Sequence, residues 1–226
     1  MRVFLSFIVA LCAANAVSGA ERAASEFTET LGMRPNLEAG SRSFETCAAC
    51  HGADGAGLTD GTVPRLAGQH YRVLVKQLVD FRYARRWDYR MENFADRHHL
   101  PTPQSIADVA AYAAQLRPVS MGGTGDGAEL RVGVQTYFAQ CQSCHGTLGQ
   151  GSDGRLVPRL SGQQYAYLLR QLLDTADGRR PNMSSQHRRL LQQLDNAKIK
   201  GLSDYLSRVM DPDPSSSSSR SSASEP

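Results

Sequence analysis

One hexapeptide occurs twice in this chain. Cys47-Ala48-Ala49-Cys50-His51-Gly52 returns as Cys141-Gln142-Ser143-Cys144-His145-Gly146. A second motif follows each copy: Val63-Pro64-Arg65-Leu66-Ala67-Gly68-Gln69 returns as Val157-Pro158-Arg159-Leu160-Ser161-Gly162-Gln163. Gln77-Leu78 matches Gln171-Leu172, and Arg85-Arg86 matches Arg179-Arg180. The offset is constant, with 141 − 47 = 94, 158 − 64 = 94 and 179 − 85 = 94. It slips by one only near the end of each copy, where Tyr112 matches Tyr205. A constant offset over so many positions means two copies of one fold rather than one large domain. Each copy is of the size at which a protein core alone is marginal, so a buried group would add much of its apolar contact.

The rest of the chain falls around these copies. Met1-Arg2 opens a positive start, residues 3–16 are nearly all apolar, and Ser18-Gly19-Ala20 supplies small residues. That pattern predicts a secretory signal peptide over residues 1–20, cleaved after Ala20. The apolar run is short for an uncleaved membrane anchor. The copies occupy residues 37–118 and 129–210. Between them, residues 119–128 hold four glycines and read as a linker. Residues 211–226 are mostly serine and cannot bury a core, which predicts a disordered tail. Residues 21–36 read as a loose arm. Within each copy the spacing of Leu74, Leu78 and Phe81, and of Leu168 and Leu172, is helical. Ser105 is the expected N-cap of a helix over residues 106–116, and Asn196 that of a helix through Tyr205. No alternating strand pattern of useful length appears. The expected fold class is all-α, with two tandem domains.

Cys-x-x-Cys-His is the attachment sequence of haem c. Two cysteines at this spacing reach the two vinyl groups of one haem, and the next histidine is held under the iron. A redox disulfide or half of a zinc site also uses Cys-x-x-Cys. The first needs a strand–helix setting, and the second needs further ligands and no histidine placed identically twice. The expected cofactors are therefore two covalently bound haem c groups, attached through Cys47, Cys50, Cys141 and Cys144. His51 and His145 are the expected proximal ligands. A methionine at the sixth position gives a saturated iron with a raised potential. Each copy has one methionine between its attachment motif and its last helix. Met91 lies 40 residues after His51 (91 − 51) and Met183 lies 38 after His145 (183 − 145). Gap-free alignment places Tyr89, not Met91, opposite Met183, and His98 and His99 are nearby rivals. Met91 is preferred over them.

These motifs, in order and twice, resemble the two-haem class I cytochromes c, and most of all the cytochrome c-four family. The resemblance covers roughly residues 37–210. It implies two tandem class I cytochrome c domains in a periplasmic protein, with His/Met ligation at each iron. It further implies that Pro64 and Pro158 offer carbonyls to the proximal histidines. It implies that the helices carrying Phe44 and Tyr137 or Phe138 cross those carrying Tyr112 and Tyr205. Arg65 and Arg159 could pair with haem propionates or lie on the surface. The family's tyrosine four residues after the Gly-Gln glutamine is present as Tyr167 but is replaced by Val73 in the first copy. The stretch from Arg85 to Phe94 also departs from the family pattern.

The function expected is single-electron transfer between redox protein donors and acceptors, with a terminal oxidase as one destination. A subunit accepting electrons from a dehydrogenase is the alternative, and a dihaem enzyme would need one open iron. The charge balance is +2 over residues 40–118 (10 − 8) and +5 over residues 129–210 (11 − 6). An acidic partner docking on the second copy is expected from this. Nucleic acid is not an expected partner, and membrane association is at most peripheral.

Overall fold

A computed structural model describes residues 18–117 and 123–210. Of the signal peptide expected over residues 1–20, residues 1–17 lie outside them, as do the serine-rich tail and the start of the linker, while Ser18 to Ala20 form the cap and start of the first helix. The first half contains α1 (Gly19–Gly32), α2 (Leu37–His51), α3 (Tyr71–Arg82), α4 (Tyr89–Phe94) and α5 (Pro103–Gln115). The second contains α6 (Leu130–Gln140), α7 (Gln142–His145), α8 (Tyr165–Ala176), α9 (Ser185–Gln192) and α10 (Asn196–Arg208). Among the described residues no strand forms beyond an isolated bridge between Ser152 and Val157. The chain is all-α.

In each half the first helix of the repeat packs against the last, α2 on α5 and α6 on α10. The aromatic contact expected there is present. Phe44 and Tyr112 have ring centroids 5.4 Å apart, and Tyr137 and Tyr205 are 5.2 Å apart. The helices can approach because of glycines. A Cβ on Gly40 would sit 2.2 Å from the Asp108 carbonyl oxygen, and one on Gly133 would sit 1.9 Å from that of Gly201. Val75, Val79 and Ile106 fill the first core, and Leu168, Ile199 and Leu202 the second.

Three local expectations are corrected. Residues 21–36 are not a loose arm, because α1 packs on α3 and α5. The helix expected to start after Ser105 starts at Pro103, capped by Thr102. Pro is favoured at a first helical position, and Ser105 returns its hydroxyl to the Thr102 amide in a capping box. The cap of α10 is Asp195, whose carboxylate accepts from Lys198 N, and Asn196 is the first helical residue. The described part of the expected linker is tied to the second half. Asp204 accepts from the amides of Gly125 and Gly127 at 3.0 and 2.8 Å, and Tyr165 N donates to Gly123 O at 2.7 Å.

The halves meet through the second repeated motif. Gln69 Nε2 donates to Arg159 O at 3.0 Å, while Arg159 N donates to Gln69 Oε1 at 2.9 Å. Gln163 Nε2 donates to Arg65 O and Arg65 N donates to Gln163 Oε1, both at 3.0 Å. These partners are repeat equivalents (163 − 69 = 94 and 159 − 65 = 94), so the same bonds are exchanged both ways. That reciprocity is the mark of a two-fold relation between similar units. Asymmetry enters at Tyr167, whose hydroxyl accepts from Arg86 Nη2 at 2.5 Å. Its counterpart, Val73, has no hydroxyl to return the bond.

Candidate haem sites

The last turn of α2 carries Cys47, Cys50 and His51. In the second half α6 ends at Gln140 and the same residues stand on or beside the single turn of α7. Gly52 and Gly146 then reverse the chain at φ +80° and +81°, a conformation that side chains rarely adopt. In each half the first cysteine is half-buried and the second exposed. Burial raises the thiols of Cys47 and Cys141 to about 11, far from the lowered values of redox-active Cys-x-x-Cys sites. Among the described residues no three His, Cys, Asp or Glu side chains cluster to hold a metal ion.

His51 is buried, and its Nδ1 lies 2.9 Å from Pro64 O. The equivalent distance from His145 Nδ1 to Pro158 O is 3.3 Å. A carbonyl on Nδ1 makes that nitrogen the donor and leaves Nε2 free with its lone pair, the tautomer that binds a metal. Burial lowers the pKa of both rings, that of His145 to about 4, so they stay neutral. Met91 is half-buried in the first turn of α4, where its amide donates to the capping Asp88. Met183 is half-buried in the turn before α9. Tyr89, the gap-free match to Met183, is 81% exposed. The rival His99 is occupied locally, with Nδ1 3.0 Å from Asn93 O and 3.2 Å from Asp96 Oδ1, and His98 is exposed. In the second half the His187 ring lies beside His145, with centroids 6.3 Å apart.

Two family profiles match the chain. Cytochrome c matches residues 37–117, and cytochrome c oxidase, cbb3-type, subunit III matches residues 128–206. Cytochrome c4 of Azotobacter vinelandii is 30% identical over 191 residues, covering 74% of this chain and 86% of that protein. The chain belongs to the cytochrome c4 family. A thiosulfate dehydrogenase electron acceptor of Stutzerimonas stutzeri is 31% identical, covering 72% of this chain and 78% of that one. The crystal structure of reduced recombinant cytochrome c4 from Pseudomonas stutzeri superposes with a TM-score of 0.69 at 29% identity. It covers 78% of this chain and all (100%) of that one.

A cytochrome c4 carries two covalent haem c groups and transfers electrons. The residues of this chain fit that cofactor. Arg65 is only 9% exposed at the seam between the halves. Burial and then the neighbouring Arg159 lower its pKa to about 10. Arg180 is likewise lowered to about 9, by burial and then by Arg86. Burial shows that Arg65 is not a surface residue, and its Nη2 donates to Ser161 O at 2.5 Å across the seam.

Sequence reasoning missed three features of the site. The glutamines that close each Pro-Arg-Leu motif join the halves, which their exact repetition hinted at. The Glu26–Arg82 pair ties α1 to the end of α3, and Arg82 continues to the carbonyls of Ala95 at 2.8 Å and Leu100 at 2.5 Å. His187 was passed over, although it is the sole histidine of the second half besides His145.

Proposed function

We propose that this chain is a periplasmic relay that takes single electrons from one redox protein and hands them to another. Its two units span residues 37–118 and 129–210. Bound haem supplies a reversible one-electron couple, and the protein supplies attachment, ligands and burial. Cys47 and Cys50 would hold one haem, and Cys141 and Cys144 the second. His51 and His145 stand under the irons, oriented by the Pro64 and Pro158 carbonyls. Met91 is the sixth ligand in the first half. In the second half Met183 and His187 are both within the same short stretch.

The observation that carries this reading is the pair of neutral, carbonyl-anchored histidines, His51 buried and His145 half-buried, each directly after its Cys-x-x-Cys. A side-chain donor at both sixth positions leaves no open iron, which favours a carrier over an enzyme. A terminal oxidase is the acceptor favoured by the oxidase-subunit profile over the second half. Acceptance from a thiosulfate-oxidising enzyme is the second reading, favoured by the similarity to electron acceptors of that kind. The cleavable start favours export across a bilayer. Among the described residues no helix is long and apolar enough to cross a membrane.

The test uses the holoprotein made with its own leader. Haem analysis should return two covalent haems per chain in the periplasmic fraction. Met91→Leu should keep both haems, lose the far-red band of methionine-bound ferric iron and lower the first potential, since methionine raises it. An unchanged band and potential would remove Met91 from the iron.

A further inference from the structure

We propose that His187, rather than Met183, is the sixth ligand of the second haem, so that the two irons of this protein are ligated differently. The inference rests on the reading of His145 as the proximal ligand. Two imidazoles on opposite sides of one metal have a definite spacing. With metal–nitrogen bonds of about 2.0 Å and roughly 1.15 Å from ring centre to nitrogen, their centroids stand about 6.3 Å apart. The His145 and His187 centroids are 6.3 Å apart, at an interplanar angle of 57°. The rings therefore stand at the separation that two imidazole ligands of one iron would need.

Three further observations agree. His187 Nδ1 is buried with no hydrogen-bond partner. A ring nitrogen left without a partner inside a protein is a group that needs explaining, and ligation of this ring explains its position. His187 stands in the first turn of α9, where its amide donates to the capping Ser184 hydroxyl at 3.2 Å. Met183 precedes that cap, in a turn. A ligand carried on a helix is held more firmly than one in a turn. Finally, the device belongs to one half alone. The repeat equivalent of His187 is Asn93 (187 − 94 = 93). Asn93 lends its backbone carbonyl to His99, which is thereby turned to a local contact.

The consequence is directional. Methionine raises the potential of a haem relative to histidine. The second iron is then the lower-potential centre and the first, with Met91, the higher one. An electron entering the second half runs downhill into the first across the Gln69–Gln163 seam.

The test compares wild type, Met183→Leu and His187→Ala holoprotein by electron paramagnetic resonance, far-red absorption and a redox titration. Haem content is measured on each. Expected in wild type are two low-spin irons, a far-red band of the strength of one methionine-bound haem, and two resolved potentials. Met183→Leu should change none of these. His187→Ala should either make one iron high-spin or, if Met183 moves in, double the far-red band and raise the lower potential. Loss of half the band in Met183→Leu, with His187→Ala silent, overturns the proposal. A wild-type band of two-methionine strength overturns it as well. Fewer than two haems in wild type would overturn the reading beneath it, and this proposal with it.

Discussion

Glu26→Ala should destabilise the first half by about 3–5 kcal/mol, as expected when one partner of a buried ion pair is removed and the other is left charged. Both side chains of the Glu26–Arg82 pair are only 4% exposed. Arg82 is fixed at the end of α3, and its guanidinium also donates to the carbonyls of Ala95 and Leu100. It cannot swing out to water without releasing the segment that follows α4. Arg97 makes a second contact with Glu26 at 3.2 Å, but from the surface, where it keeps its hydration. Met91 lies on α4, so the same loss should loosen the residue proposed as the sixth ligand of the first iron. The chain's single tryptophan, Trp87, stands between α3 and α4 and reports this half when the haem no longer quenches it. The check is a urea titration of holoprotein followed by Trp87 emission and by the far-red band. Both should shift to lower urea in Glu26→Ala, the band first. Glu38→Ala is the control, since its partner Arg42 is an exposed neighbour one turn away. An unshifted Glu26→Ala transition would mean that α1 is not part of the stable fold.

The same helix shows where legibility ended. Hydrophobic periodicity finds a helix when its inner face is apolar. The inward face of α1 mixes Ala23, Phe27 and Leu31 with the buried polar Glu26 and Thr30, which weakens the apolar stripe. Its inner carboxylate is paid for by Arg82, 56 residues away, and nothing local announces such a partner. The attachment motifs were fully legible because their chemistry is local: the cysteines and histidine must be neighbours in sequence to hold one haem. The Pro64 and Pro158 carbonyls, 13 residues on, were reachable through the family resemblance alone. Repetition revealed that Gln69 and Gln163 matter, but a repeat does not say what touches what. Their bonds to Arg159 and Arg65 appear only when the two copies face each other. For the second iron the sequence reading named Met183 and passed over His187, four positions later. Nothing in the local sequence marks that histidine; its nearness to His145 appears only in the folded chain.

Gly133→Ala should cost the second half about 3 kcal/mol, against the direction that helix propensity alone dictates. In an isolated helix, replacing glycine by alanine gains about 1 kcal/mol. Gly133 has no unusual backbone conformation that would reverse this, because it sits in the regular turn of α6. What opposes it is space. The new Cβ would lie 1.9 Å from Gly201 O and 2.0 Å from its carbonyl carbon. Both are backbone atoms of α10, so no side chain can rotate away and the helices must separate. Overpacking of this kind costs about 1–3 kcal/mol, and more where backbone must move. Separation would also pull Tyr137 from Tyr205 and strain the Tyr137 hydroxyl bond to Gly146 O, 2.5 Å long, beside His145. The haem-bearing turn is thus tied to the crossing. The first half provides an internal scale. Gly40 meets the Asp108 carbonyl at 2.2 Å, but Asp108 is not itself a glycine, whereas Gly133 and Gly201 face each other. The α6–α10 crossing is the tighter of the two, so Gly133→Ala should cost more than Gly40→Ala. Urea unfolding followed by the second haem's absorption, with Trp87 emission reporting the first half, separates the two effects. A Gly133→Ala midpoint at or above that of wild type would show that helix propensity outweighs the contact. In that case the close crossing would be a consequence of haem burial and not a condition for it.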